Sequence, residues 1–240
     1  MINNFSNLKV CILCGGKGER LQPLTKNLPK PLIKINKKEI LSHIVDHLKS
    51  NGLKNFLIST GFKHDLINKF FQKKYSNLNI KIIKTGVNKD IIERVKSILK
   101  FVSGDLLICY GDTLTNINIR KLYNFHQRKK FPATISCYQL KTQFGILDIN
   151  KKNLITSFKE KPNLGIWYNI GYILLSNKTL KKLNKFNKFQ NFLEYLAKNK
   201  LAGSFRHKGL HITVNTVKEL DEAKKTLAKF EKKKYEKFLE

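Results

Sequence analysis

Four short runs rich in aliphatic and β-branched residues, LKVCILC, NFLIST, NIKIIKT and DLLICYGD, are spaced through the chain up to Asp112. Between them lie three segments with helical periodicity, near Lys38 to Ser50, Lys63 to Lys74 and Asp90 to Phe101. Strands separated by helices are too far apart along the chain for tight hairpins, so the pattern predicts parallel pairing with helices covering both faces. After Asp112 the alternation loosens. A helix near Ile119 to Lys129 precedes the strand-like runs ATISCYQL, FGILDI, LITSFKE and YNIGYILLS, followed by helices, the last from about Val217. No repeat or low-complexity linker divides the chain. The expected architecture is α/β, a Rossmann-like, mostly parallel sheet with helices on both faces and a mixed β insertion, in one domain over residues 1–240.

Open sheets of this kind bind ligands beyond the carboxyl ends of their strands. Those ends carry Gly15 to Arg20, Thr60-Gly61, Thr85-Gly86 and Gly111-Asp112. The first opens the stretch ILCGGKGERLQPLTKNLPKPL, where Gly15, Gly16 and Gly18 let the backbone turn its N–H groups toward an anion. Arg20 and Lys30 add the positive charge a polyphosphate needs, and Pro29 and Pro31 restrict the backbone around Lys30. Neither common nucleotide-loop spacing fits. A Walker A loop needs G-x-x-x-x-G-K-[ST] and a dinucleotide fingerprint needs G-x-G-x-x-G, whereas Gly16-Lys17-Gly18-Glu19-Arg20-Leu21 ends in leucine.

The formal net charge of +30 raises a nucleic-acid reading, but the lysines are scattered through almost every segment and Arg is scarce beside them. A solvated basic surface that attracts anionic small substrates fits better, and nucleic acid is not expected as a partner. Cys11, Cys14, Cys109 and Cys137 lie in or beside apolar runs and read as small hydrophobes; the C-x-x-C of Cys11 to Cys14 has no second pair to complete a zinc set. The six histidines show no metal-ligand spacing. No apolar run approaches membrane-spanning length and MINNFSNLKV lacks signal-peptide features, so a cytoplasmic protein without a membrane partner is expected.

GGKGERLQPLT, PKPL, YGD, EKP and N-x-G, in this order and across essentially the whole chain, resemble the sugar-1-phosphate nucleotidyltransferases. These enzymes join a nucleoside triphosphate to a sugar 1-phosphate and release pyrophosphate. TG-x(6)-RVK, YGDTLTNINIRKLYNFH and FGILDI...ITSFKEKP look most like the glucose-1-phosphate cytidylyltransferase branch. The resemblance implies a nucleotide-diphospho-sugar transferase fold, with a nucleotide half to about residue 118 and a sugar-phosphate half from about 119. It implies CTP and a hexose 1-phosphate as substrates, and Mg²⁺ as cofactor. Arg20 would hold the triphosphate, Lys30 would bridge the α-phosphate and the incoming phosphate, and Asp112 would hold the metal together with Asn215. Leu13, Gly15, Gly16, Gly18, Thr85, Gly86 and Gly111 would line the nucleotide site. Lys161 would grip the sugar phosphate, Glu160 and Asn169 would meet hydroxyls, and Gly145 and Gly171 would leave room for the ring. A homo-oligomer is compatible with the pattern.

Two positions depart from it. Bulky Ile91 and Ile92 replace a glycine pair where the base is held, which keeps GTP, dTTP and UTP open. Val214-Asn215-Thr216 carries Asn where the family has an aspartate, so Asn215 would offer a neutral carbonyl to the metal or serve as a turn or capping residue. A catalytically lapsed relative that binds nucleotide or sugar phosphate is the competing reading.

Overall fold

The structure, a computed structural model, describes residues 5–239. In chain order its strands and α-helices are β1 (Lys9–Cys14), β2 (Lys34–Ile35), β3 (Lys38–Glu39), α1 (Ile40–Ser50), β4 (Asn55–Thr60), α2 (His64–Lys74) and β5 (Asn79–Lys84). Then come α3 (Ile91–Ile98), β6 (Leu106–Tyr110), β7 (Thr113–Thr115), α4 (Ile119–Lys129), β8 (Ala133–Lys141), β9 (Ile146–Ile149), β10 (Ile155–Lys159) and β11 (Asn163–Leu175). The chain ends with α5 (Asn177–Leu180), α6 (Phe189–Lys198), β12 (Ala202–Arg206), β13 (His211–Thr213) and α7 (Val217–Leu239). No described helix is long and apolar enough to cross a membrane.

Seven strands form the central sheet in the order β12-β8-β11-β6-β1-β4-β5. β1 pairs in parallel with β4 and β6, and β4 with β5, as the alternating pattern predicts. β11 then runs antiparallel to both β6 and β8, which makes the sheet mixed. Burial on two faces explains the near-continuous apolar runs. In β1, Val10, Ile12 and Cys14 enter one core with α1 and Tyr172, while Cys11 enters the other with Ile92, Ile108 and Phe192.

Several boundaries differ from the sequence expectation for local reasons. Lys38 and Glu39 pair with Lys34 and Ile35 in a small hairpin, so the first helix starts at Ile40. Lys63 takes a left-handed conformation (φ 50°), which delays the second helix to His64. The third helix stops at Ile98 and tightens into a 3₁₀ turn over Leu99–Phe101. β11 begins at Asn163, five residues before the apolar run, because its first half extends the pairing with β8 past the core.

Candidate active site

β1 and β6 lie side by side and end at the same level, which sets the glycine loop beside Gly111 and Asp112. Gly111 N–H donates to the Leu13 carbonyl at 3.1 Å, and a Cβ on Gly111 would overlap that carbonyl. The strand ends border a cavity of about 650 Å³. Leu13, Gly15, Gly16, Gly18, Arg20, Lys30, Gly111, Asp112 and Asn215 all line it. Its wall carries five cationic side chains, Lys17, Arg20, Lys30, Lys89 and Arg94, against two carboxylates, Glu19 and Asp112. That balance suits a polyanion.

Lys30 occupies a short 3₁₀ turn between Pro29 and Pro31 and is 9% exposed. Its Nζ donates to Asp112 Oδ2 at 2.5 Å and to Asn215 Oδ1 at 3.1 Å. Arg20 Nη2 donates to the same Asn215 oxygen at 3.2 Å. Asn215 therefore turns its side chain into the cavity. The N-terminus of α7 is capped by other groups: Asn215 N–H donates to Glu219 Oε2 (2.6 Å), and Glu219 N–H to Thr216 Oγ1 (3.2 Å). A capping role for the Asn215 side chain is thereby excluded.

No group of three His, Cys, Asp or Glu able to hold a metal occurs among the described residues. Two hard oxygens, one carboxylate and one amide, nevertheless converge on one cationic atom, Lys30 Nζ. That donor set suits Mg²⁺, which takes oxygen ligands, needs few from protein and draws the rest from phosphates and water.

Arg94 is the site residue to which the sequence reading gave no role. The cap of α3 aims it: Asp90 Oδ1 accepts from Ile92 N–H at 2.8 Å while Glu93 Oε2 accepts from Asp90 N–H at 3.0 Å. From the first turn of α3, Arg94 reaches under the glycine loop and is 5% exposed. It donates to the carbonyls of Gly15 (3.2 Å) and Val87 (2.9 Å) and to Thr85 Oγ1 (3.0 Å). Gly15 must lack a Cβ here, since one would overlap the guanidinium. Burial lowers the Arg94 pKa, opposed by Cys14, Glu93 and Asp90. Burial also pushes the Cys14 thiol up, so it stays protonated as a packing group.

Thr85 and Gly86 stand behind this wall; the Thr85 hydroxyl and N–H both donate to the Thr60 carbonyl, at 2.9 and 2.8 Å. Gly145, Glu160, Lys161, Asn169 and Gly171 lie outside the cavity wall, on β11 and the β9–β10 arm. Asn169 Nδ2 donates to the hydroxyl of Tyr110, a cavity residue, at 3.4 Å, and Gly171 packs against the Tyr110 ring. Glu160 and Lys161 are 3.6 Å apart with both side chains more than half exposed. Gly145 sits against Phe158 and Glu160.

The nucleotidyl transferase family model matches residues 9–211. A Bacillus subtilis protein named "Probable glucose-1-phosphate cytidylyltransferase" is 30% identical over 243 residues, covering 91% of this chain and 95% of the relative. The D-glycero-alpha-D-manno-heptose 1-phosphate guanylyltransferase of Campylobacter jejuni is 32% identical over 162 residues, covering 64% of this chain and 69% of the relative. Among solved structures, HddC from Yersinia pseudotuberculosis superposes with a TM-score of 0.71 at 24% identity, over 92% of this chain and 99% of the other.

Proposed function

The chain belongs to the nucleotidyl transferase family as a sugar-1-phosphate nucleotidyltransferase, and from that premise we propose that it joins CTP to a hexose 1-phosphate. A phosphate oxygen of the sugar 1-phosphate attacks the α-phosphorus. The bond to the β-phosphate oxygen breaks and pyrophosphate leaves, carrying the negative charge. Catalysis of this kind is positioning and charge neutralisation, with no covalent intermediate.

The observation that carries the reading is Lys30, buried between two prolines and held by Asp112 and Asn215 at the edge of the glycine loop. A fixed ammonium at that point suits the α-phosphate as negative charge develops there. Arg20, beside it, holds the triphosphate and the leaving group, and the N–H groups of Gly15, Gly16 and Gly18 face the phosphates. Asp112 and Asn215 would hold Mg²⁺, which would supply charge neutralisation at the phosphates. Lys30 Nζ would then bind the oxygens of the substrate phosphates. The acceptor belongs to the half from about residue 119, with Lys161 on its phosphate, Glu160 and Asn169 on its hydroxyls, and Gly145 and Gly171 giving clearance. Asn215 crosses from that half to the nucleotide cavity.

The base rests on the branch resemblance and on the Bacillus subtilis relative. The Campylobacter jejuni relative makes GTP the second reading. Pyrophosphate release from CTP, GTP, UTP and dTTP, each with several sugar 1-phosphates, tests both. A rate with CTP and glucose 1-phosphate above the other pairs is expected. Preference for another base overturns the choice of CTP, and silence across the panel with nucleotide still bound leaves a lapsed binding protein.

A further inference from the structure

Trp167, the chain's single tryptophan, lies in the half of β11 that extends beyond the core. β11 pairs with β6 over Tyr172 to Leu175, and β6 ends at Tyr110. The earlier residues of β11 therefore run past the end of β6, into the space beyond the strand ends where ligands of such sheets bind. On its other side β11 stays paired with β8: Trp167 is opposite Gln139, Tyr168 opposite Tyr138 and Asn169 opposite Cys137. β8 in turn pairs Cys137 with Arg206, the last residue of the edge strand β12. Cross-strand partners share a face, and neighbours along a strand alternate. Trp167, Asn169, Cys137 and Arg206 thus lie on one face. Tyr168 lies on the other, where its hydroxyl is 3.1 Å from His211 Nδ1.

Two contacts turn the first face into a path. Asn169 Nδ2 donates to the hydroxyl of Tyr110, in the cavity wall, at 3.4 Å. The Arg206 guanidinium sits over the Trp167 ring, 5.1 Å from its centre. Tyr110, Asn169, Trp167 and Arg206 therefore lead outward from the nucleotide cavity in that order. Asn169 and Trp167 are two strand residues apart, about 7 Å, which is the scale of one sugar ring. The indole is half-buried, with Arg206 packed on it from β12 and β6 stopping short on the opposite side of β11. An indole held this way is a rigid apolar plate with a wet edge. A pyranose carries C–H groups on its faces and hydroxyls around its rim. Laid on the plate, it removes apolar area of both from water and leaves the rim hydroxyls to polar side chains.

We propose that Trp167 is the platform on which the sugar ring of the acceptor rests, with Arg206 as the positioning residue that holds the indole. The proposal rests on the sugar-1-phosphate reading above and adds the apolar contact that Lys161, Glu160 and Asn169 do not offer. It makes the site selective for a pyranose 1-phosphate over phosphate alone.

With one tryptophan in the chain, indole emission reports this position alone. Acrylamide quenching of the full-length protein should fall when glucose 1-phosphate, or another sugar 1-phosphate of the panel above, is added with the α,β-methylene analogue of CTP or GTP. The nucleotide analogue alone and inorganic phosphate alone should leave it unchanged. Trp167→Leu should raise KM for the sugar 1-phosphate about tenfold with no change in KM for the nucleotide, and Trp167→Phe should recover most of the loss. Arg206→Gln should raise the same KM by a smaller factor. Protection in a protein that releases no pyrophosphate from any pairing supports the platform and sinks the reaction. Absence of protection by every sugar 1-phosphate overturns the platform, and pyrophosphate release in that same protein leaves the reaction standing. Protection by inorganic phosphate alone also overturns the platform. So does a Trp167→Leu protein with a lower melting temperature and the parent KM, which would make Trp167 and Arg206 a packing pair at the sheet edge.

Discussion

Lys30 and Asp112 form the shortest ion pair of the site, Nζ to Oδ2 at 2.5 Å, and Asn215 Oδ1 accepts from the same nitrogen at 3.1 Å. One ammonium thus holds together the 3₁₀ turn Lys30–Leu32, the β6 strand end and the segment before α7. Lys30→Ala should lower turnover roughly a hundredfold or more, because it removes a preorganised charge where negative charge develops. Single-turnover kinetics with saturating nucleotide measures it. A loss below about fivefold, which corresponds to about 1 kcal/mol of barrier, places the developing charge elsewhere. Arg20→Ala should act in the same direction.

Asn215 stands where it can offer a metal only one neutral oxygen. Asn215→Asp adds an anionic ligand and should lower the Mg²⁺ concentration for half-maximal rate, while Asp112→Asn should raise it sharply or abolish turnover. Calorimetric titration of Mg²⁺ into the protein with bound nucleotide supplies a readout independent of rate. If Asn215→Asp leaves both titrations unchanged while Asp112→Asn stays active, the two oxygens do not form the metal site.

Arg94 ties the glycine loop to the segment after β5, and its removal takes the Val87 carbonyl's donor and one of the partners of the Gly15 carbonyl, which keeps the Phe62 N–H, and of the Thr85 hydroxyl, which keeps Ser59 Oγ. Arg94→Lys cannot reach all three. It should raise KM for the nucleotide about tenfold, with a smaller effect on kcat, and cost about 1–3 kcal/mol of stability, a few degrees or more in melting temperature. Gly15→Ala should reproduce this pattern, because its Cβ displaces the guanidinium. Equal nucleotide KM values in Arg94→Lys and the parent protein would show that the loop holds its shape without Arg94.

The parallel half of the fold was legible because strands buried on both faces leave uninterrupted apolar runs such as Val10 to Cys14 and Leu106 to Cys109. The first half of β11 was not, since Leu164 and Ile166 alternate over only five residues, none of Asn163 to Trp167 is buried, and the stretch is ordered by pairing with β8 alone. β7 and β13 escaped for a similar reason: each has three residues and exists through the other. At the site, the glycines, Lys30 and Asp112 were legible from their places at strand ends. Arg94 was not, because an arginine in an amphipathic helix ordinarily points to solvent, and only the capped start of α3 directs it under Gly15. The β9–β10 strands were visible as FGILDI and LITSFKE, but their exposure depends on what packs beside them, which local sequence does not encode.

His211 gives the fold an acid-sensitive point away from the phosphates. Its Nδ1 lies 3.1 Å from the Tyr168 hydroxyl, its ring stacks on Tyr138 at 5.1 Å, and its buried Nε2 has no partner among the described residues. Burial, and secondarily nearby His207, lowers its pKa to about 4. In the unfolded chain the same side chain titrates near 6.5. Between these values the unfolded state holds a proton that the folded state lacks, so stability falls as pH drops through this window and levels off below about 4. His43, His126 and His207 are also shifted down, chiefly by burial, and contribute with the same sign, so the test compares two proteins and not two pH values alone. His211→Phe keeps an aromatic ring against Tyr138 and removes the titration. Its melting temperature should fall less than that of the parent protein on going from about pH 7.5 to about pH 4.5. Parallel losses in the two proteins would mean that the folded chain accepts the proton at His211 as readily as the unfolded one.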